Sequence, residues 1–301
     1  MTVDPPQAQP ASSDPANTDQ LGELLGTAVT ELTPIGGGDI CRAYRARLED
    51  SRTVFVKTLV DAPDGFFATE AYGLRQLHSA AGGVPVPEVL AADSAHLALE
   101  WVTQGPPSAS AAERLGRTLA ATHQAGHDGF GSLRGPGWIG TLPLPGGPWP
   151  DWPRMWANGR IEPYLRSARD RGAITKRDAA DVTRVMDVLP DLTGPAEAPS
   201  LVHGDLWAGN VLWGADGRTW LVDPAVHGGH RETDLAMLML FGLPHLDRVV
   251  ASYHEATPLA DGWRDRLPLH QLHPVLVHAV LFGGSYGSQA GQLARLALRS
   301  H

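Results

Sequence analysis

Ser200-Leu201-Val202-His203-Gly204-Asp205-Leu206-Trp207-Ala208-Gly209-Asn210-Val211-Leu212-Trp213 reads as strand, loop, strand. The turn Gly214-Ala215-Asp216-Gly217 follows and leads into Thr219-Trp220-Leu221-Val222-Asp223. A hairpin of that length returns Asp223 to the end at which Asp205 and Asn210 lie. Three oxygen-bearing side chains then converge on one loop, a stronger signal than a lone His-Gly-Asp.

Working outward, the other informative features lie upstream. A strand is expected over 29–35, then Gly36-Gly37-Gly38-Asp39, then an alternating segment over 41–48. Three glycines let backbone N–H groups approach an anion closely, although a flexible hairpin turn has the same composition. The turn Glu49-Asp50-Ser51-Arg52 leads into Thr53-Val54-Phe55-Val56-Lys57, a β-rich run that ends in a lysine. Lys57 and Lys176 are the only lysines of the chain, the remaining positive charges being arginines. A lysine placed inside an apolar strand just after a glycine loop can reach phosphate oxygens.

A helix follows over 66–80, with Phe67, Ala71, Leu74 and Leu77 apolar at helical spacing. Glu70 on this helix either pairs with Lys57 or is a solvated carboxylate favouring the helix N-terminus. Strands are expected over 88–92 and 96–102, and Gln104-Gly105-Pro106-Pro107 ends regular structure. The border between two units is placed there. Beyond it, helices are expected over 110–124, 156–169 and 174–189, and 125–152 reads as a long irregular loop rich in Gly, Pro and Trp.

In order along the chain stand a glycine loop, a strand lysine, a helix glutamate, a hinge, His-x-Asp-x4-Asn and a hairpin Asp. The last two carry the spacing of a kinase catalytic loop and its second metal-binding carboxylate. Phosphoryl transfer asks a protein mainly to place an in-line hydroxyl and to spread charge off phosphates. Lys57 would neutralise the α/β-phosphates of ATP. Asn210 and Asp223 are hard oxygen ligands suited to Mg²⁺. Asp205 would orient the acceptor hydroxyl and take its proton.

Composition narrows the alternatives. The chain has 301 residues and a formal net charge of −9, so its field repels phosphate backbones and nucleic acid is not an expected partner. Apolar stretches fall short of the roughly 18 residues that span a bilayer, and no membrane association is expected. Residues 1–19 are rich in Pro, Ala, Asp and Gln and read as a disordered tail, not an export signal. The single cysteine, Cys41, suits a reducing cytoplasm. It lies beside the glycine loop, either as a redox-sensitive thiol or as a small strand residue.

The residues His203-Gly204-Asp205-Leu206-Trp207-Ala208-Gly209-Asn210, Asp223-Pro224-Ala225, Gly229-His230-Arg231-Glu232, Asp234-Leu235-Ala236-Met237, Phe241-Gly242 and Leu281-Phe282-Gly283-Gly284-Ser285-Tyr286 resemble the fructosamine (ketosamine) kinases. The resemblance spans roughly 20–298, and the Trp after Asp-Leu and the Gly-His-Arg-Glu block separate it from kinases at large. It implies an α+β, bilobal protein-kinase-like fold, related to aminoglycoside phosphotransferases: a small antiparallel β-sheet lobe with a helix over 20–103, and a larger, mainly helical lobe over 104–301. It implies that ATP and Mg²⁺ are used to phosphorylate the third-carbon hydroxyl of ketosamines, free or as glycated protein, in a deglycation and protein-repair reaction. By resemblance Asp205 is the base, Asn210 and Asp223 bind the metal, Lys57 and Glu70 form an ion pair, and Glu100 and Val102 mark the adenine contact. Gly36, Gly37 and Gly38 are expected to lie over the phosphates, and a cytoplasmic monomer is expected.

Several readings stay open at this stage. Trp207 either stacks on a sugar or amine face of the substrate or is a core tryptophan. Asp234 either binds the backbone of the 203–210 loop or caps a helix. His230 and Arg231 either touch substrate or brace the loop, and His270, His273 and His278 either gather a metal or pack between helices. The neighbours of Ile139-Gly140-Thr141-Leu142-Pro143 depart from the family pattern, as does the incomplete glycine loop. The alternative acceptors are therefore an aminoglycoside or an amino alcohol, and the non-enzymatic alternative is a pseudokinase.

Overall fold

Alternation of buried and exposed side chains marks a strand with one solvated face, and it is clearest between Arg42 and Leu48, where Arg42, Arg45 and Arg47 face out while Ala43, Tyr44, Ala46 and Leu48 are buried. The computed structural model describes residues 17–36, 40–132 and 134–299. Its contacts divide the chain into two units, one ending at Phe67 but completed by Val89–Trp101, the other made of Ala68–Glu88 and the chain from Val102 onward. The larger unit thus takes in Ala68–Glu88, which the expectation of a 20–103 lobe assigned to the smaller one.

The smaller unit opens with α1 (Thr18–Leu25), whose N-terminus is capped by the Asn17 side chain accepting from the Asp19 N–H and whose C-terminus ends at Gly26 with φ 69°. Five antiparallel strands follow: β1 (Val29–Ile35), β2 (Arg42–Leu48), β3 (Thr53–Thr58), β4 (Val89–Ala92) and β5 (His96–Glu100), in the order β1-β2-β3-β5-β4. β3 is central, and its Val54 and Val56 join Leu21, Tyr44, Ala46, Leu48 and Ala98 in the core of this unit. Lys57 sits in β3 opposite Ala43 on one side and Leu97 on the other, and is buried. Of the expected tail, residues 1–16 lie outside the described residues, and Thr18 and Asp19 belong to α1. Of the glycine loop, Gly37 and Gly38 also lie outside them, while Gly36 is described and exposed.

The larger unit is mainly helical. It holds α2 (Phe66–His78) from Ala68 on, α3 (Ala109–Gln124), the short hairpin β6 (Gly137–Ile139) and β7 (Leu142–Leu144), α4 (Trp152–Met155), α5 (Glu162–Asp170), α6 (Lys176–Asp187) and α7 (Leu189–Leu192). Then come β8 (Ser200–Val202), β9 (Val211–Trp213), β10 (Thr219–Leu221), β11 (His227–Gly229), α8 (Glu232–Phe241), α9 (Leu246–Ala256), α10 (Leu267–Phe282) and α11 (Tyr286–Ala297). α10 is largely buried and carries Leu269, Leu272, Val275, Leu276 and Val280 into a core shared with α4, α5, α6 and α11.

Two expectations need correction here. The loop 125–152 is not wholly irregular, for it contains the β6–β7 hairpin and is closed by a bond from the Trp149 N–H to the Phe130 C=O at 2.9 Å. The single helix expected over 156–169 is instead a π-helical turn over Trp156–Ile161, running on from α4, followed by α5. The physical reason lies at Pro163, which has no N–H to give to the Gly159 C=O. That carbonyl accepts from the buried Arg160 Nη1 at 3.1 Å.

Candidate active site

The chain crosses from β8 to β9 through His203–Asn210, and β9 pairs antiparallel with β10 so that Val211 faces Leu221. This is the expected hairpin, and Asp223 emerges from β10 beside the loop. Gly204 has φ +81°, and a Cβ built on it would collide with the Ala225 carbonyl. Only glycine satisfies both conditions. The Ala225 N–H in turn donates to the His203 C=O at 2.9 Å, tying the chain after Asp223 to the start of the loop.

His203 is fully buried, and its Nε2 lies 2.9 Å from the Val222 C=O. A carbonyl only accepts, so Nε2 carries the hydrogen and Nδ1 is the acceptor for the Asp205 N–H at 3.3 Å. Burial lowers the His203 pKa against the opposing pull of Asp234, so the ring is neutral and orients the loop. Asn210 then gathers the three oxygen-bearing residues. Its Nδ2 donates to the Asp205 C=O at 2.8 Å, to the Asp205 Oδ2 at 3.3 Å and to the Asp223 C=O at 3.5 Å. With the NH2 group engaged in this way, Oδ1 is the acceptor atom of that amide. Asp223 itself has φ 57°, a left-handed conformation rare outside glycine and costing of order 1–3 kcal/mol, of the kind that clusters at functional sites.

Asp234 underlies the loop. It is 1% exposed and accepts from the His203 N–H at 2.7 Å, the Gly204 N–H at 3.0 Å and His123 Nε2 at 3.1 Å. Burial alone would raise its pKa, but the hydrogen bond and charge of His123, with His203 and the Gly204 amide, outweigh that and hold it below the ordinary carboxylate value. His123 Nδ1 lies 2.8 Å from the Tyr253 hydroxyl, so α3, α8 and α9 meet at one buried polar chain. Of the two sequence readings, backbone binding is therefore the one realised. Asp234 is the third residue of α8, not its cap, and the N-cap position is Arg231.

The remaining candidates fall as follows. Trp207 is 39% exposed and is not a core residue. Val102 is half-buried outside regular structure, and Glu70 is half-buried on α2. Lys57 and Glu100 belong to the smaller unit, Glu100 at the exposed end of β5 opposite Val54. Cys41 is half-buried and immediately precedes β2.

His230 and Arg231 brace the interior: Arg231 grips Glu197 through Nε and Nη2, both at 2.8 Å, and Nη2 also donates to the Pro258 C=O at 2.9 Å. The three C-terminal histidines do not gather a metal together. His270 Nδ1 pairs with the Thr233 hydroxyl, His273 Nδ1 donates to the Arg160 C=O and His278 Nδ1 donates to the Pro274 C=O. His270 does approach His230 and Glu232, with one nitrogen or oxygen of each within 4.8 Å of the others. Both Glu232 oxygens already accept from Arg266, at 2.6 and 2.9 Å, which makes this a buried ion-pair network.

These buried histidines predict the acid response of the fold. Burial pushes His227 down to about 3 and His230 down to about 4. An unfolded histidine titrates near 6.5, so below that value the unfolded chain takes up protons that the folded chain refuses, and stability falls as pH falls. Glu232, held at about 2 despite burial by His270 and Arg266, stabilises above the ordinary glutamate value and loses that contribution only on further acidification. Thermal melts should therefore drop steadily from pH 7 to pH 4.5, before carboxylates titrate. A melting temperature flat across that range would contradict the assignment of neutral buried histidines.

An antiparallel five-stranded unit with a buried lysine on its central strand, joined to a mainly helical unit carrying His-x-Asp-x4-Asn and a hairpin Asp, defines the class: protein-kinase-like phosphotransferases of small molecules. The sequence profile of fructosamine kinase matches residues 14–300. The chain belongs to the fructosamine kinase family. It is 35% identical over 266 residues to the probable ketoamine kinase of Enterococcus faecium, covering 87% of this chain and 94% of that one. It is 30% identical over 285 residues to the chloroplastic protein-ribulosamine 3-kinase of Arabidopsis thaliana, covering 93% of this chain and 86% of the other. Its fold matches the crystal structure of a Thermobifida fusca protein assigned as a fructosamine-3-kinase with a TM-score of 0.90 and 49% identity, over 95% of this chain and 100% of that one. Among the described residues no helix is long and apolar enough to cross a membrane.

Proposed function

We propose that the protein is an ATP-dependent kinase that phosphorylates the third-carbon hydroxyl of a ketosamine, the sugar adduct of an amine. The observation that carries this is the 203–210 loop of a fructosamine kinase family member, held from beneath by Asp234 and joined to Asp223 through Asn210.

The donor set fits a nucleotide with a divalent cation. Asn210 Oδ1 and the Asp223 carboxylate are hard oxygens that suit Mg²⁺, and Lys57, buried in a strand, is a fixed positive charge for phosphates. When bound, Mg-ATP supplies the transferable phosphoryl group and neutralises the charge that builds on it. Asp205 accepts the proton of the acceptor hydroxyl and holds the oxygen in line. Its peptide is fixed at both ends by His203 and Asn210, so the carboxylate needs no rearrangement as the reaction proceeds. Asn210 positions this carboxylate through Nδ2. Gly36, Gly37 and Gly38 are proposed to lie over the phosphates, Glu70 to steady Lys57, and the chain between Glu100 and Val102 to meet the adenine.

The test is direct. The purified protein, given ATP and Mg²⁺, should transfer phosphate to a ribulosamine or a fructosamine, with the 3-phosphate identified by phosphorus NMR. Turnover of an aminoglycoside or amino alcohol with no ketosamine phosphorylated would overturn the reading, and nucleotide binding without any transfer would indicate a pseudokinase.

A further inference from the structure

We propose that a row of aromatic side chains beside the 203–210 loop docks the amine-bearing half of the acceptor and selects ketosamines whose amine carries an aromatic or bulky apolar group. This rests on the reading of the protein as a ketosamine kinase. Trp207 is 39% exposed, Phe241 36% and Phe282 52%. Large apolar side chains left together in water mark a binding surface. Trp207 meets Phe241 edge-on with 6.1 Å between ring centroids, Phe241 lies 5.0 Å from His278, and His278 lies 5.4 Å from Phe282 and 5.0 Å from Tyr286.

The row is tied to the reacting end of the site. The Trp207 N–H donates to the Asp205 C=O at 3.2 Å, and the indole lies over Gly209, where a Cβ would collide with it. Phe241 ends α8, the helix whose Asp234 holds the loop. His278 and Phe282 stand one turn apart on α10, and the His278 ring is fixed by its bond to the Pro274 C=O at 2.7 Å.

The chemistry of the acceptor says what covers this row. A hydroxyl presented to Asp205 leaves the rest of the molecule to run outward past Trp207. In a ketosamine the nitrogen lies only three bonds from the phosphorylated carbon. Carried on an alkyl amine it is an ammonium at neutral pH, matched to the face of an indole. Its substituent then extends over Phe241 and Phe282, which a wholly polar acceptor would leave uncovered.

Two adducts of one sugar, on methylamine and on benzylamine, separate the outcomes. The protein should favour the benzylamine adduct about tenfold in kcat/KM, mainly through KM. Phe282→Ala, at an exposed position that the fold does not need, should bring that ratio toward one. Leu296→Ala, also exposed but ten residues along α11 from Tyr286, should keep it. Equal kcat/KM for the two adducts, or a ratio that survives both Phe282→Ala and Phe241→Ala, overturns the subsite while leaving the kinase reading intact. Failure to phosphorylate either adduct overturns both.

Discussion

Asp205→Asn should lower kcat by about a thousandfold while leaving the affinity for Mg-ATP within a few fold. The carboxylate is the group proposed to take the acceptor proton, and an amide of the same shape has no basicity to offer. The fold has little reason to respond, because the loop is secured through the backbone of residue 205. Its N–H donates to His203 Nδ1 and its C=O accepts from Asn210 Nδ2, and neither bond uses the side chain. The nucleotide contacts proposed for Lys57, Asn210 and Asp223 should also survive the change. Steady-state assays with a ketosamine acceptor, paired with calorimetric titration of Mg-ATP, would read the two effects apart. Turnover within tenfold of the parent would remove Asp205 from the role of base. Loss of nucleotide binding in parallel with activity would place it among the metal ligands instead.

How far the sequence foretold these features depends on the distance over which each one is encoded. Asp205, Asn210 and Asp223 come together within one hairpin, so turn chemistry and strand alternation were enough to bring them to one end. Lys57 was conspicuous because lysine is scarce in this chain and a central apolar strand is an expensive place for an ammonium. The support beneath the loop was half legible: Asp234 stood open between loop binding and helix capping, and its own partners were out of reach of such arguments. His123 meets Asp234 across 111 residues and Tyr253 across 130, and no spacing rule links those positions. The same holds for the aromatic row, whose members come from the loop, α8, α10 and α11. Only Trp207 stood out in the sequence, as either a stacking or a core tryptophan, and it is the ring contacts with the exposed Phe241 and Phe282 that show the row. The π-helical turn at Trp156–Ile161 is not legible in the sequence, because a proline at the start of α5 is compatible with an ordinary helix start, while its effect on the Gly159 carbonyl appears only once Arg160 is seen to occupy that acceptor.

Asp234→Asn is the second substitution with a large expected effect, and it acts through the loop without touching substrate. The carboxylate receives three donors, one oxygen serving His203 N–H and His123 Nε2, the other serving Gly204 N–H. An asparagine has one acceptor oxygen, so its NH2 must face at least one of these donors with no water to relieve the conflict. Breaking a buried charged arrangement in this way costs about 3–5 kcal/mol, or a fall in melting temperature of roughly 10 °C for a domain of the larger unit's size. Activity should fall with it, chiefly in kcat, because the peptides of His203 and Gly204 set where Asp205 points. The pH dependence distinguishes this from generic destabilisation. Asp234 titrates below its ordinary value in the folded state, so its contribution is complete above about pH 4, the unfolded value, and is lost as pH falls through the lower folded one. The gap between parent and variant should accordingly stay constant from pH 8 to pH 5 and close on further acidification, provided the parent is still folded there. A gap that already shrank between pH 8 and pH 5 would show that the Asp234 carboxylate does not carry the effect.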